Sequence, residues 1–283
     1  MPADTASVTT TVPDDDTRAA VLRLAEVVER EDGAPPLSDQ ALGHLRSGSV
    51  EHAVARDGAT VVGYGQRDGA AAELVADRSA IGPLVDALAR PGLLIWSHGR
   101  RSRLAPVFAD RGFEPIRELH QLRRPLTGLP DDPALPPEIV VRSFRPGQDD
   151  DAWLALNAAA FASHPEQGRW TRDDLDARLA ESWFDPAGFL LAERDGELLG
   201  FHWTKVHPDG AGEVYVLGVS PSAQGLGLGN ALLVRGLRHL AAGGCPTVLL
   251  YVDGDNPTAL RLYAKAGFTS HDLDVQWQLP AEG

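Results

Sequence analysis

The chain has 283 residues, enough for two domains of ordinary size. Its 40 acidic side chains outnumber 26 basic ones, and the formal charge of −14 repels nucleic acid and anionic membrane surfaces, so neither is expected as a partner. No apolar run reaches transmembrane length and no cationic-then-apolar leader is present. The single cysteine, Cys245, cannot close an internal disulfide, so a cytoplasmic protein is expected.

Residues 1–17, rich in Thr, Asp, Pro and Ala, read as a disordered tail. Apolar residues then recur at helical spacing over 18–30, ended by Asp32-Gly33. Ser38 caps a second helix at 39–46. Strands at 50–56 and 60–66 flank the turn Asp57-Gly58, and 71–76 is a third. Helices at 81–90 and 102–110 enclose a strand at 92–97, and an extended stretch runs from Gly112-Phe113 to Leu122. Pro130, Pro133, Pro136 and Pro137 mark 126–138 as a linker between a first domain, 18–125, and a second, 139–283. The second domain opens with a strand at 139–144 and helices at 148–161 and 171–181. Strands at 188–194 and 197–206 follow, about Asp195-Gly196. A strand at 213–219, a helix to Ala242, a buried strand at 247–252, a helix at 257–266 and an extended end at 268–279 complete it.

The stretch 213–230 carries the chemistry. Its β-branched and aromatic first half ends at Ser220-Pro221-Ser222, and Gln-x-x-Gly-x-Gly follows at 224–229 before an apolar helical pattern. A glycine turn between strand and helix leaves backbone N–H groups free at a helix N-terminus, which suits a diphosphate. A P-loop would need Gly-Lys-Ser/Thr, whereas Asn230-Ala231 follow Gly229. A dinucleotide fingerprint is nominally met by Gly225, Gly227 and Gly229, but it lies deep in the chain and not in a first βαβ unit.

Gln-x-x-Gly-x-Gly after Val-Leu-Gly-Val resembles the acyl-CoA pyrophosphate loop of the GCN5-related N-acetyltransferases (GNAT). The segment 255–268, Asp-Asn-Pro-Thr-Ala-Leu-Arg-Leu-Tyr-Ala-Lys-Ala-Gly-Phe, resembles their later Asn-x-x-Ala-x-x-x-Tyr-x-x-x-Gly-Phe element. One departure is that many members carry arginines inside the loop, where this chain has Gly225 and Leu226. The halves also echo each other. Glu73 in Ala72-Glu73-Leu74-Val75 answers Glu213 in Gly212-Glu213-Val214-Tyr215, and Ala109-Asp110-Arg111-Gly112-Phe113 answers Ala264-Lys265-Ala266-Gly267-Phe268. No glycine cluster follows Val75. The resemblance therefore implies an α/β fold of two tandem GNAT units, each a mixed, mostly antiparallel sheet flanked by helices, with a degenerate first unit and a catalytic second one.

With Gly200-Phe201-His202-Trp203-Thr204-Lys205-Val206-His207-Pro208 and a tandem chain of this length, the sequence resembles the mycothiol synthase family of these acetyltransferases, from about Ala25 to Leu279. The resemblance implies acetyl-CoA as cosubstrate, no metal, an aminosugar-inositol as the small-molecule acceptor, and a monomer. It implies Glu213 as general base and Tyr263 as general acid. Leu217, Gly218 and Val219 would bind the pantetheine arm and polarise the thioester. Gln224, Gly225, Leu226, Gly227, Leu228, Gly229 and Asn230 would hold the pyrophosphate. Asn256, Pro257, Thr258, Ala259, Leu260 and Arg261 would complete the cofactor site, with Asn256 also capping its helix. Asp39, Glu166, Lys205, Glu213 and Tyr251 would contact the acceptor. His164, His202 and His207 lack paired ligand spacing, so no metal is expected. From residue pattern alone, a protein N-terminus or an aminoglycoside is an open alternative acceptor, and a non-catalytic acyl-CoA sensor is an open alternative role.

Overall fold

The acidic run Asp14-Asp15-Asp16 starts a helix. In the computed structural model, which describes residues 6–47, 49–162 and 167–281 (the side chains of Asp39 and Ser47 excepted), helix α1 spans Asp15–Asp32. Asp14 caps it by accepting the Thr17 N–H at 2.8 Å, and the Thr17 side chain first, with this N–H second, holds the Asp14 carboxyl below its usual range. Before it, strand β1 (Ser7–Thr9) pairs antiparallel with β2 (Glu51–Asp57) through Val8↔Ala55. The tail expected over 1–17 is thus corrected: residues 7–9 are a strand and 15–17 the first turn of a helix, because a cap and an acidic first turn look like a polar tail in composition. Residues 1–5 lie outside the described residues.

The chain divides into two units, the first comprising residues 1–120, 253–255 and 272–283, the second 121–252 and 256–271. In the first follow α2 (Asp39–Ser47), β3 (Thr60–Asp68), β4 (Ala71–Ala76), α3 (Arg78–Leu88), β5 (Leu94–Ser97), α4 (Ala105–Asp110) and the start of β6 (Glu114–Pro125). Alternation along the strands sorts their side chains to two faces. Val54, Tyr64 and Val75 meet Val21, Leu24 and Val28 of α1 and Leu45 of α2. Ala53, Ala55, Leu74 and Ala76 meet Ile81, Leu84 and Leu88 of α3 and Phe108 of α4. Each fully buried aliphatic side chain stabilises the fold by about 1.5–3 kcal/mol.

The second unit contains β7 (Val140–Ser143), α5 (Asp150–Ala160), α6 (Arg172–Leu179), β8 (Phe189–Arg194), β9 (Glu197–Val206), β10 (Gly212–Val219), α7 (Leu228–Ala242), β11 (Thr247–Asp253), α8 (Pro257–Lys265) and the first residues of β12 (Thr269–Gln278). Strand order is β11-β10-β9-β8-β7, antiparallel except for the β10–β11 pair. One face carries an aromatic core of Trp153, Phe189, Phe201 and Trp203, with Phe189 stacked on Trp203 at 4.3 Å. The other packs Val214, Val248 and Leu250 against Leu233, Leu237 and Leu240 of α7.

Two boundaries differ from the sequence expectation. The far part of β12 belongs to the first unit, where Val275 pairs with Ser97 of β5 and the Trp277 indole N–H donates to Ser97 Oγ at 2.9 Å. The proline-rich stretch 126–138 lies along α7 within the second unit: Arg235 pairs with Asp132 at 2.9 Å and Arg238 donates to the Pro130 carbonyl.

Candidate active site

Strand β10 is paired unequally along its two edges. On the β9 side it pairs from Gly212↔Val206 to Val219↔Gly200, with a register shift between Val214 and Val216 that leaves Tyr215 as a bulge. On the β11 side the parallel register holds only at Gly212↔Val248 and Glu213↔Leu249. Beyond Glu213 the two strands run on to Val219 and Asp253 without a further pair among the described residues. A wedge therefore opens between them, and the N–H groups of β10 that point away from β9 face it. The Ser220 N–H donates to the Leu199 carbonyl at 2.8 Å, so by alternation Leu217 and Val219 turn their N–H groups to this open edge, whereas Gly218 between them turns its own toward β9.

Glu213 stands at the apex of the wedge. Its side chain is 10% exposed, and Oε2 accepts the His207 Nε2–H at 2.7 Å. Its neighbours in register share its face of the sheet: Lys205 directly opposite on β9, Leu249 on β11, and two residues further along β11 the exposed Tyr251. Val214, one residue on, points to the other face, into the cluster that holds Tyr263. The expected base and acid thus sit on opposite faces, with the wedge between them. Tyr263 is buried edge-on to Phe268 at 5.7 Å, and burial pushes its phenol up.

Past β10, a 3₁₀ turn at Pro221–Ala223 leads into Gln224 and two glycines in the left-handed region, Gly225 at φ 85° and Gly227 at φ 77°. Both lie in open space, so what they supply is the backbone turn and room above it. Gly227 is the N-cap of α7. The cap has no side chain, and the first turn carries no acidic residue. The N–H groups of Leu228, Gly229 and Asn230 are thereby left at the positive end of a 15-residue helix. Gly229 lies between Val219 of β10 and Leu262 of α8, which brings strand, loop and α8 together. Asn256 caps α8 by accepting the Ala259 N–H at 3.0 Å, ahead of Pro257, and Arg261 donates to Thr258 Oγ1 at 3.3 Å. Thr258, Ala259 and Leu260 fill the first turns of α8.

On the Glu213 face, the Lys205 ammonium lies 5.1 Å from the Trp183 ring centroid and 5.6 Å from that of Tyr215. Arg178 donates to the Tyr215 hydroxyl at 3.2 Å and covers Trp170 at 5.5 Å. Tyr251 accepts a hydrogen bond from Gln121 at 2.8 Å. Glu166 and the side chain of Asp39 lie outside the described residues, and so does His164. No group of three metal-ligating side chains occurs among the described residues.

Residues 153–268 match the Acetyltransferase (GNAT) family. Over 275 residues the chain is 49% identical to the mycothiol acetyltransferase of Thermomonospora curvata, covering 92% of this chain and 93% of that one. Over 278 residues it is 50% identical to the mycothiol acetyltransferase of Streptomyces avermitilis, covering 92% and 90%. The chain belongs to the mycothiol acetyltransferase family. In fold this acetyltransferase is similar to the GCN5-related N-acetyltransferase of Sphaerobacter thermophilus, with a TM-score of 0.72 at 22% identity over 97% of each chain. It is also similar to a tandem GNAT protein from the clavulanic acid biosynthesis pathway, with a TM-score of 0.68 at 19% identity over 98% of this chain and 100% of that one.

The acetyltransferase's first unit preserves the wedge topology and loses the rest. Its β4–β5 pair is likewise parallel at two positions, Ala71↔Leu94 and Ala72↔Ile95. Yet β4 pairs with β3 without a bulge from Ala71 to Ala76. Glu73, the counterpart of Glu213, is spent on α2: it accepts the Ser38 N–H and hydroxyl, each at 2.7 Å. At the start of α3 stands Asp77, a negative side chain where the second unit has Gly227. Sequence reasoning weighed His207 only as a metal ligand and Trp183 only as core or cleft wall, and it missed the pairing of His207 with Glu213, the seat of Lys205 on Trp183 and the Tyr215 bulge. The first had a usable signal: a hairpin about Asp209-Gly210 brings 205–207 alongside 211–213.

Proposed function

We propose that this chain transfers the acetyl group of acetyl-CoA to the cysteinyl amine of cysteinyl-glucosaminyl-inositol, giving mycothiol and CoA by direct transfer in a ternary complex. The observation that carries this reading is the wedge between β10 and β11, with Glu213 at its apex on one face and Tyr263 on the other. A thioester laid in that gap presents its carbonyl to an amine on the Glu213 side and its sulfur toward α8. Relatives of the same family support the acceptor.

An α-amino group has a pKa of ~7.7, so much of it is protonated near neutrality and must lose a proton before attack. Glu213 takes that proton, directly or through a water. The neutral amine nitrogen then bonds to the thioester carbon and gives its second proton to solvent, and the developing oxyanion is met by N–H groups on the open edge of β10. The C–S bond then breaks and the CoA thiolate leaves. Tyr263, kept protonated by burial, donates its O–H toward that sulfur. The loop N–H groups and the α7 dipole hold the diphosphate. Lys205, with Tyr251 on the same face, meets the hydroxyl-rich acceptor. An acyl-enzyme on Cys245 is disfavoured, since that thiol is buried in the core and burial pushes it up.

The test is CoA release with acetyl-CoA and cysteinyl-glucosaminyl-inositol, with the product's mass and site of acetylation determined. One acetyl group on the cysteinyl nitrogen is the expected result. Binding of acetyl-CoA without turnover on this acceptor overturns the reading. A panel of aminoglycosides and peptide N-termini then separates another acetyltransferase from an acyl-CoA sensor.

A further inference from the structure

His207 is the polar partner that the described residues give Glu213. It sits at the end of β9, where the turn fixes its backbone: its N–H donates to the Ala211 carbonyl at 2.8 Å, and its own carbonyl accepts from Gly210 at 2.9 Å. Its ring reaches back across the hairpin to Glu213 Oε2 at 2.7 Å. The imidazole is 29% exposed and the carboxylate 10%, so His207 stands on the solvent side of the pair. Other charged or titratable groups nearby are Lys205 on β9, Tyr215 on β10, Tyr251 on β11, Arg178 on α6 and Asp209 in the turn. Lys205 is held at the Trp183 and Tyr215 rings, Arg178 at Trp170 and the Tyr215 hydroxyl, and Asp209 accepts the Ala211 N–H at 3.0 Å.

We propose that His207 is a positioning residue for the general base: its Nε2–H engages Oε2 of Glu213, fixes the rotation of the carboxyl, and leaves Oε1 for the acceptor amine or its bridging water. This rests on Glu213 being the base. A buried carboxylate without such a donor is free to rotate and is costly to keep ionised. Unlike an oriented histidine held by an acid, here the histidine does the orienting.

The test is a double-mutant cycle between positions 207 and 213, read as kcat and acceptor KM, with acetyl-CoA binding measured separately. His207→Phe removes the donor. Turnover number at pH 7 is expected to fall by roughly tenfold, with the acceptor KM held within about twofold and acetyl-CoA affinity unchanged. His207→Gln keeps an N–H at similar reach and is expected to restore kcat to within about threefold of wild type, which separates lost positioning from a damaged hairpin. In the Glu213→Gln background, His207→Phe is expected to cost less than roughly twofold more, because the two act as a unit. An equal loss in both backgrounds, not rescued by His207→Gln, overturns the proposal while leaving Glu213 as the base. Wild-type turnover in Glu213→Gln alone removes the base itself, a distinct result.

Discussion

Lys205 faces Glu213 across the β9–β10 pair, yet its ammonium is held at the rings of Trp183 and Tyr215. A cation over an aromatic face gains about 0.5–2 kcal/mol, enough to keep a lysine beside a carboxylate without the two collapsing into an ion pair. Both charges then stay available to a ligand. Lys205→Met is expected to raise the acceptor KM roughly tenfold, about 1.4 kcal/mol, while acetyl-CoA affinity holds. Steady-state kinetics with each substrate varied in turn checks it; a change confined to acetyl-CoA would take Lys205 out of the acceptor site.

The duplicated carboxylates give a paired prediction. Glu213→Gln is expected to lower kcat/KM by about 10²–10⁴-fold, the range for a general base. Glu73→Gln, at the matching place in the first unit, weakens the cap at Ser38 and is expected to cost about 1 kcal/mol of stability with kcat kept within roughly twofold. Urea unfolding and turnover on the two variants read these apart. Comparable kinetic losses would mean that the first unit takes part in the chemistry.

What could be read from the sequence was mostly local. Asn256-Pro257 announces a cap three residues ahead of the N–H it binds, and Asp195-Gly196 announces a turn, where Asp195 sits at φ 51° and Gly196 at φ 83°. The glycines of 225–229 likewise state their own conformation. The features that escaped depend on partners distant in sequence. Nothing near Val275 tells that it pairs with Ser97, and nothing near Lys205 tells that Trp183 lies over it. The bulge at Tyr215 is a property of a strand pair, so no single strand encodes it. Asp14, Asp15 and Asp16 were misleading for the opposite reason: the residues that start a helix are the polar ones that also make up a tail.

The loop proposed to hold the diphosphate, residues 224–230, carries no cationic side chain. Leu226 is exposed between the two left-handed glycines, close to the start of α7. Leu226→Arg is expected to tighten acetyl-CoA binding by roughly three- to tenfold at 0.01 M salt, where the Debye length is about 30 Å, and by much less at 0.15 M, where it is about 8 Å. Calorimetric titration at the two salt concentrations checks it. An unchanged affinity at low salt would place the diphosphate away from this loop.

Acid should weaken the fold through His202. It is fully buried, its Nδ1–H donates to the Leu232 carbonyl at 2.9 Å, and Nε2 has no partner among the described residues. Burial drives its pKa down to about 4 from an ordinary value near 6.5. The unfolded chain therefore binds this proton more readily than the folded one, and stability falls as pH drops through that interval. The loss begins near pH 6.5 and is complete below about pH 4, amounting to about 3 kcal/mol. Above pH 7 both states are neutral here and the residue adds no slope. His202→Leu is expected to be less stable than wild type at pH 7.5 and to lose less further stability on going to pH 4.5. Urea midpoints at the two pH values decide it, and parallel losses in both proteins would assign the acid sensitivity to other groups.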